Sequence, residues 1–283
     1  LLSEHGNNIT LNEKLFARIK AVYDQKDQAN LTPEQNKLLE KVYNSFVRSG
    51  ANLEGEAKEQ YRTLSKELSL LTLQFGENNL KETNDYKLVL TDPAQLPGLP
   101  QSAIDAAAET AKEKGVEGWV FTLQAPSYSP FMTYASNRDL RCKLYMAYNT
   151  KCTHDNETNN LEIVKKLVNT RLAIAQLLGY NSFAEYNLQE RMAENSGNVY
   201  KLLDQLLDAY TPTAKQEYAE VEALARQLEG SDFTVMPWDW SYYSHKLKDQ
   251  KFQIDDEMLR PYFELSKVKE GVFGLATRLY GIT

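Results

Sequence analysis

The segment WDWSYYSHKL, residues 238–247, concentrates side chains that can carry chemistry. It holds two tryptophans, two tyrosines, Asp239 and His245 within ten positions. A histidine near a carboxylate can act as a general base or as a metal ligand. The same residue types also form aromatic packing clusters. The segment therefore allows two interpretations, an active site or a structural cluster.

Histidines are too few and too scattered for the usual zinc sites. A catalytic zinc needs about three protein ligands, often including two His on one helical face. The chain holds only His5, His154 and His245, and none lies three to five residues from another. HExxH and Glu-x-x-His are both absent, which argues against a zinc hydrolase helix and against a di-iron bundle. We therefore assign no catalytic and no metal-binding residue within these residues.

Other catalytic motifs, namely GxGxxG, the P-loop and GxSxG, are also absent. His154 lies in a polar run and is interpreted as a loop residue, and for His245 we favour a packed or surface histidine over a catalytic one. Asp255 and Asp256 precede a predicted helix, where negative charge is favoured without any catalytic role. We interpret the two cysteines as free thiols of a reducing compartment. A Cys–His pair assembled in space stays open.

Composition is that of an ordinary globular protein, with 42% hydrophobic and 25% charged residues and a net charge of −7. Acidic and basic residues are interleaved, so nucleic-acid binding is disfavoured. No apolar run reaches the roughly 18 to 20 residues of a membrane span, and we expect no membrane association. No signal peptide is visible, which favours a cytoplasmic location, although a signal sequence upstream of Leu1 stays open.

Helix signals dominate the pattern. Apolar residues recur at three- and four-residue spacing within 38–47, 61–75, 202–207 and 221–228, and each stripe predicts a buried helical face. Gly50 is placed to end one of these helices. Capping residues predict helix starts at Thr10 with Glu13, at Thr32 with Pro33 and Gln35, at Asn137, at Ser182 with Glu185, and at Thr211 with Pro212.

One region lacks this helical spacing of apolar residues. YKLVLT at 86–91 and GWVFTL at 118–123 alternate and carry β-branched or aromatic residues, so both are predicted strands. An alanine-rich helix is predicted between them at 102–114, and a loop at 125–132. The fold class is therefore mainly α with a small β element around 86–123. A Gly-, Ser- and Pro-containing loop at 229–239 suggests two domains, 1–235 and 236–283, the second being the start of a further helical segment.

Several longer strings carry a family resemblance. They are LSKELSLLTLQFGENNLKET at 64–83, LTDPAQLPGLP at 90–100, GWVFTLQAPSYSPFMTYASNRDLRCKLYMAYN at 118–149, RLAIAQLLGYNSFAEYNLQERMA at 171–193, and the stretch that begins MPWDWSYYSHKL at 236. In this order they resemble the thimet-oligopeptidase family of zinc metallopeptidases. Within that family they are most similar to the bacterial peptidyl-dipeptidases, also called dipeptidyl carboxypeptidases. The resemblance runs from about Leu53 to Ile282.

The resemblance implies a multi-helix zincin-like oligopeptidase shell, two lobes around a deep channel. It implies a parent enzyme that binds zinc, takes oligopeptides and releases dipeptides from their C-termini. In the family the zinc-binding HExxH helix follows the segment matched here. We therefore expect this chain to be an N-terminal and central portion that binds no zinc and is inactive alone.

The resemblance also identifies residues 238–247 with the family's Trp-Asp-x-x-Tyr-Tyr element. Trp238, Asp239, Tyr242 and Tyr243 match it. We expect these residues to fix a helix start, with Asp239 as the cap, or alternatively to line the channel. Two other hypotheses remain: a non-catalytic helical module that binds peptides or proteins, and a metal enzyme assembled within the 283 residues.

Overall fold

The computed structural model describes residues 2–253 and 256–282, without the side chains of 256 and 257. The predicted mainly α class is confirmed. The helices are α1 (Leu2–Thr10), α2 (Glu13–Asp24), α3 (Pro33–Arg48), α4 (Gly55–Asp85), α5 (Gln101–Glu113), α6 (Ala125–Tyr134), α7 (Arg138–Asn149), α8 (Leu161–Leu177), α9 (Phe183–Leu188), α10 (Ser196–Glu229), α11 (Trp240–Phe252), α12 (Asp256–Leu259) and α13 (Leu265–Tyr280). The strands are β1 (Leu88–Leu90) and β2 (Trp119–Phe121).

The chain divides into two compact units, each built from two separate stretches of sequence. The first unit is Leu1–Glu82 with Cys152–Ala209, and the second is Thr83–Lys151 with Tyr210–Thr283. The predicted division between residues 235 and 236 stays a prediction. The interpretation of the Asp255–Asp256 pair lies outside the described side chains. A membrane-crossing helix, which would have to be both long and apolar, is not found in the described ranges.

The first unit is held by apolar contacts between its long helices. Tyr61 of α4 packs with Leu11 and with Ile174 of α8, and a second cluster lies further along the same two helices. Burial of the Tyr61 ring raises the pKa of its hydroxyl to about 12. The stripe predicted for α4 is confirmed at Tyr61 and Leu71, which are buried, but not at Phe75, which is exposed. The buried face predicted at 202–207 is wrong, because its leucines are exposed: Leu202, Leu203, Leu206 and Leu207.

The second unit contains the small sheet. β1 and β2 pair antiparallel, with Leu88 opposite Phe121 and Leu90 opposite Trp119. Phe121 meets Phe131 of α6 edge to face at 4.6 Å, and both rings are fully buried. The strand, helix, strand order of the predicted β element is confirmed, although the strands are shorter than 86–91 and 118–123.

Three of the predicted helix starts are confirmed with their caps. Thr32 and Gln35 form a complete capping box at α3. The Asn137 side chain accepts from Leu140 N at 3.1 Å, and the Ser182 hydroxyl accepts from Glu185 N at 3.1 Å. These local patterns need only neighbouring residues, which is why sequence alone finds them.

Two other predicted starts are wrong. Thr10 ends α1, and the cap of α2 is Asn12, whose side chain accepts from Leu15 N at 3.0 Å. α10 continues through Pro212 instead of beginning there. Proline removes one helical hydrogen bond, the one that would go to the carbonyl of Asp208. Residues around Asp208 are exposed, so water can satisfy that carbonyl.

The predicted loop at 125–132 is also wrong, because these residues lie in α6. Pro126 falls in the first turn of the helix, where a backbone N–H has no intrahelical partner in any case. Pro130 lies deeper and costs a hydrogen bond. Burial of the neighbouring Phe131 in the core offsets that loss.

Gly118, just before β2, lies very close to the backbone of β1. Gly118 has φ of +94°, and a Cβ there would lie 2.1 Å from the Leu90 carbonyl oxygen. Gly115 has φ of +65° with nothing within 4 Å of its Cβ position. We expect Gly115→Ala to cost about 1–2 kcal/mol from conformation alone. Gly118→Ala should cost about 1–3 kcal/mol more, because the strand must shift.

The comparison is made by urea unfolding followed by tryptophan fluorescence, with Gly115→Ala as the matched control. Equal destabilisation by the two substitutions would contradict the close approach of Gly118 to β1.

Candidate functional site

Asp239, the last residue of a 3-10 helix at Pro237–Asp239, is the centre of the candidate site. Its side chain is completely buried. Oδ1 accepts from Nη2 of Arg141 at 2.8 Å, and Oδ2 accepts from Nη2 of Arg138 at 2.7 Å. Oδ2 also accepts from the backbone N–H of Met236 at 3.0 Å. We call Arg138, Arg141 and Asp239 the Asp239 clamp.

Arg141 of α7 is as buried as its partner, with 1% of its side chain exposed. Its Nη1 donates to the carbonyls of Ala135 and Ser136, and its Nε donates to the carbonyl of Trp238 at 3.3 Å. The guanidinium also lies 4.1 Å from the centre of the Tyr242 ring. Each of its nitrogens therefore has an acceptor, which is the condition for burying a charged group.

Arg138 lies at the rim of the clamp, with 40% of its side chain exposed. Its Nη2 also donates to the carbonyl of Thr234 at 2.9 Å, and its guanidinium lies 4.3 Å from the Phe233 ring centre. Arg138 thus ties α7 to the loop that precedes the 3-10 helix. The two arginines are three residues apart, so they share one face of α7.

The clamp keeps Asp239 ionised. Burial alone would raise the pKa of this carboxyl, but the hydrogen bonds from Arg138, Arg141 and the Met236 amide outweigh burial and hold the pKa below its usual value. The hydrogen bond to Asp239 in turn raises the pKa of Arg138. A carboxylate neutralised in this way is suited to anchoring structure and poorly suited to proton transfer.

The expected capping by Asp239 is wrong in its detail. Asp239 occupies the N-cap position of α11, but its side chain makes no hydrogen bond to that helix. Instead it reaches back to the N–H of Met236, and closes the 3-10 turn before α11. The two arginines approach the remaining carboxylate lone pairs, which leaves none directed at the first turn of α11.

The two tyrosines of the segment are packed in the interior of the second unit. Tyr243 is 2% exposed, and its hydroxyl donates to Oε1 of Glu229 at 2.9 Å. Burial and this carboxylate raise the pKa of Tyr243. The guanidinium of Arg141 and Nζ of Lys246 lie 4.1 and 4.8 Å from the centre of the Tyr242 ring. Both positions fit the structural alternative, and channel lining stays a prediction.

Trp238 and His245 complete the segment. The Trp238 ring packs on the main core of the second unit and meets Tyr145 edge to face at 6.2 Å. His245 Nε2 lies 3.1 Å from Oδ2 of Asp249, and the imidazole meets the Tyr134 ring edge to face at 4.6 Å. The histidine is therefore a packed residue with one carboxylate neighbour.

Within the part of the chain that the structure describes, no group of three or more His, Cys, Asp or Glu side chains could hold a metal ion. The residues present do not fit the zinc that the resemblance implies, so no catalytic step is assigned to them. Among the described residues, Cys142 and Cys152 form no disulfide.

The sequence interpretation missed Arg138 and Arg141. A signal for Arg141 exists, because Arg141 and Leu144 form the buried face of α7. A cation on an apolar helical face indicates a buried ion pair. Nothing local identifies the partner, which lies 98 residues away in the sequence.

Comparison with known proteins identifies the class as peptidases. A sequence model of peptidase family M3 matches residues 131–283. The chain is 35% identical over 287 residues to oligopeptidase A of Escherichia coli (strain K12), covering 100% of this chain and 42% of that protein. It is 34% identical over 286 residues to oligopeptidase A of Haemophilus influenzae, covering 100% and 42%.

A second kind of relative matches nearly as well. The chain is 33% identical over 283 residues to dipeptidyl carboxypeptidase of Escherichia coli (strain K12), covering 99% of this chain and 41% of that protein. The chain belongs to peptidase family M3, and the family assignment made from the strings is confirmed. It spans about 42% of the length of these relatives.

The clamp predicts a pH-dependent stability. Asp239→Asn should destabilise the second unit by about 3–5 kcal/mol near neutral pH, because Arg141 is left buried without its counter-charge. A lowered folded-state pKa stabilises the fold above the unfolded carboxyl value of about 3.9, and this contribution is lost as the pH falls through the folded-state pKa. The difference between parent and variant should therefore shrink below about pH 4.

Urea unfolding followed by tryptophan fluorescence measures this effect, since Trp119, Trp238 and Trp240 all lie in the second unit. Asp232→Asn, an exposed carboxylate in the adjacent loop, is the control and should change stability by less than about 0.5 kcal/mol. An Asp239→Asn cost below about 1 kcal/mol, or one that does not change in acid, would contradict the account.

Proposed function

We propose that the chain is an N-terminal and central portion of a zinc metallopeptidase that hydrolyses oligopeptides and releases dipeptides from their C-termini. The observation that carries this proposal is the match of the whole chain to oligopeptidase A and to dipeptidyl carboxypeptidase. Their identities, 35% and 33%, are too similar to favour one of the two activities. The dipeptide-releasing branch is retained because the strings quoted above resemble it.

We place the catalytic metal outside these 283 residues. The sequence holds no HExxH, and the described side chains form no metal cluster. When bound, zinc in such an enzyme lowers the pKa of a water molecule and polarises the peptide carbonyl. The residues of this chain would then supply helical framework and substrate contacts, and the chain alone would not cleave peptides.

Within this proposal, the Trp-Asp-x-x-Tyr-Tyr segment is a structural element. The clamp at Asp239 and the burial of Tyr242 and Tyr243 support that role. The cytoplasmic location and the lack of nucleic-acid and membrane partners remain predictions. The interaction-module alternative shares the same fold and differs only in having no hydrolytic activity.

The test compares the 283-residue chain with the polypeptide that contains it in its parent gene. Each is incubated with an unstructured pentapeptide that has a free C-terminus, and products are identified by mass spectrometry. We expect dipeptide release by the parent polypeptide, loss of activity with a chelator, and recovery with zinc. We expect no cleavage by the 283-residue chain.

The same pentapeptide with an amidated C-terminus is the control, because an enzyme that recognises the terminal carboxylate should cleave it far more slowly. Cleavage at internal bonds of both peptides would contradict dipeptide release. Chelator-sensitive cleavage by the 283-residue chain would contradict the placement of the metal. Binding without cleavage by the parent polypeptide would favour the interaction module.

A further inference from the structure

An open cleft of about 460 Å³ lies in the second unit next to the Asp239 clamp. Ala214, Glu217 and Tyr218 form one wall, and their three- and four-residue spacing places them on one face of α10. Residues 235–237 and Trp240 form the other wall. The cleft is thus built between a long helix and the Trp-Asp-x-x-Tyr-Tyr segment, and we call it the Tyr218–Trp240 cleft.

Its main feature is an exposed aromatic pair. The rings of Tyr218 and Trp240 stack with their centroids 5.8 Å apart and their planes 6° apart. Tyr218 is 42% exposed and Trp240 is 40% exposed, and the adjoining Met236 is 37% exposed. The indole N–H and the phenol hydroxyl of the pair make no hydrogen bond to any described residue. Exposed aromatic rings with available polar tips are enriched where proteins bind peptides and other proteins.

The cleft is also preorganised. Pro237 has a fixed φ, and the Asp239 side chain closes the turn by accepting from Met236 N. Because Asp239 is itself held by Arg138 and Arg141, the backbone that presents Trp240 is fixed before any ligand arrives. A wall that is already ordered loses little conformational entropy on binding.

Charge specifies the ligand further. Among the described residues that line the cleft, Glu217 is the charged one. Glu217 is exposed and forms no ion pair with a described residue, in contrast to Glu220 one turn away, which pairs with Lys251. An apolar aromatic surface with a single unpaired carboxylate complements a ligand that has an aromatic group beside a cation.

We propose that the Tyr218–Trp240 cleft is a peptide-binding subsite that takes an aromatic side chain next to a lysine or arginine. The aromatic side chain packs against the stacked pair, the Trp240 indole N–H donates to a peptide carbonyl, and Glu217 pairs with the basic side chain. This inference rests on the proposed function, since that function makes oligopeptides the ligands of the protein.

The 283-residue chain, labelled with nitrogen-15, is titrated with the blocked peptide acetyl-Gly-Phe-Lys-Gly-amide while the indole N–H resonances are followed. The Trp240 signal, assigned with Trp240→Phe, should shift saturably, with a dissociation constant on the order of 1 mM. Trp240→Ala should weaken binding roughly tenfold. Replacing Phe by Ala in the probe should have a similar effect.

Glu217→Gln tests the charge without disturbing the fold, because Glu217 is exposed. The parent chain should prefer the Lys probe to the corresponding Glu probe by roughly threefold to fivefold, and the variant should lose that preference. Tyr200→Ala, an exposed aromatic residue elsewhere on α10, is the control and should bind like the parent. Circular dichroism establishes that each variant is folded.

Absence of a saturable shift at Trp240 would overturn the subsite. The subsite would also be overturned if neither Glu217→Gln nor the Glu probe changed the shift, because binding would then not depend on the charge of Glu217. Neither result bears on peptide cleavage by the parent polypeptide, so failure of the subsite and failure of the proposed function are distinguishable. If the peptide binds at this cleft but the parent polypeptide cleaves no peptide, the subsite is supported and the proposed function is contradicted.

Discussion

The second unit depends on one completely buried carboxylate, Asp239, and on the two arginines that neutralise it. An isolated buried charge would cost many kcal/mol, so the site is stable only because three groups donate to the two oxygens and Arg141 has an acceptor for each nitrogen. The consequence is geometric. Four parts of the chain meet at this single ionic centre: α7, the loop before the 3-10 helix, the 3-10 helix itself and the start of α11. The position of each is set by the others.

This centre connects the fold to its proposed use. Both carboxylate oxygens of Asp239 accept hydrogen bonds from the arginines, and burial beside Glu229 raises the pKa of Tyr243. The neighbouring surface is different, because the turn that Asp239 closes presents Trp240 to solvent beside Tyr218. The same segment thus combines a rigid interior with an open aromatic face. We propose that this face contacts substrate peptides, and that hydrolysis takes place outside these residues.

Local features of the fold could be predicted and long-range ones could not. The capping box at Thr32 and the strand, helix, strand excursion depend on neighbouring residues and were recovered from sequence. The loop predicted at 125–132 is wrong because Pro126 and Pro130 favour a loop locally, whereas burial of Phe131 in the core stabilises a helix there. The clamp could not be derived, since helical periodicity shows that Arg141 faces the interior but does not show which acid, 98 residues away, it meets. The family assignment came from longer strings, which carry information that periodicity lacks.

A double-mutant cycle on the clamp is the most direct test of its central role. The unfolding free energies of Asp239→Asn, Arg141→Met and the double variant give the coupling of the buried pair, and Arg138→Met in place of Arg141→Met gives the coupling at the rim. The account predicts about 2–3 kcal/mol for Asp239 with Arg141, and about 1 kcal/mol for Asp239 with Arg138, whose side chain is 40% exposed. Additive effects of Asp239→Asn and Arg141→Met, or a larger coupling at Arg138, would contradict it.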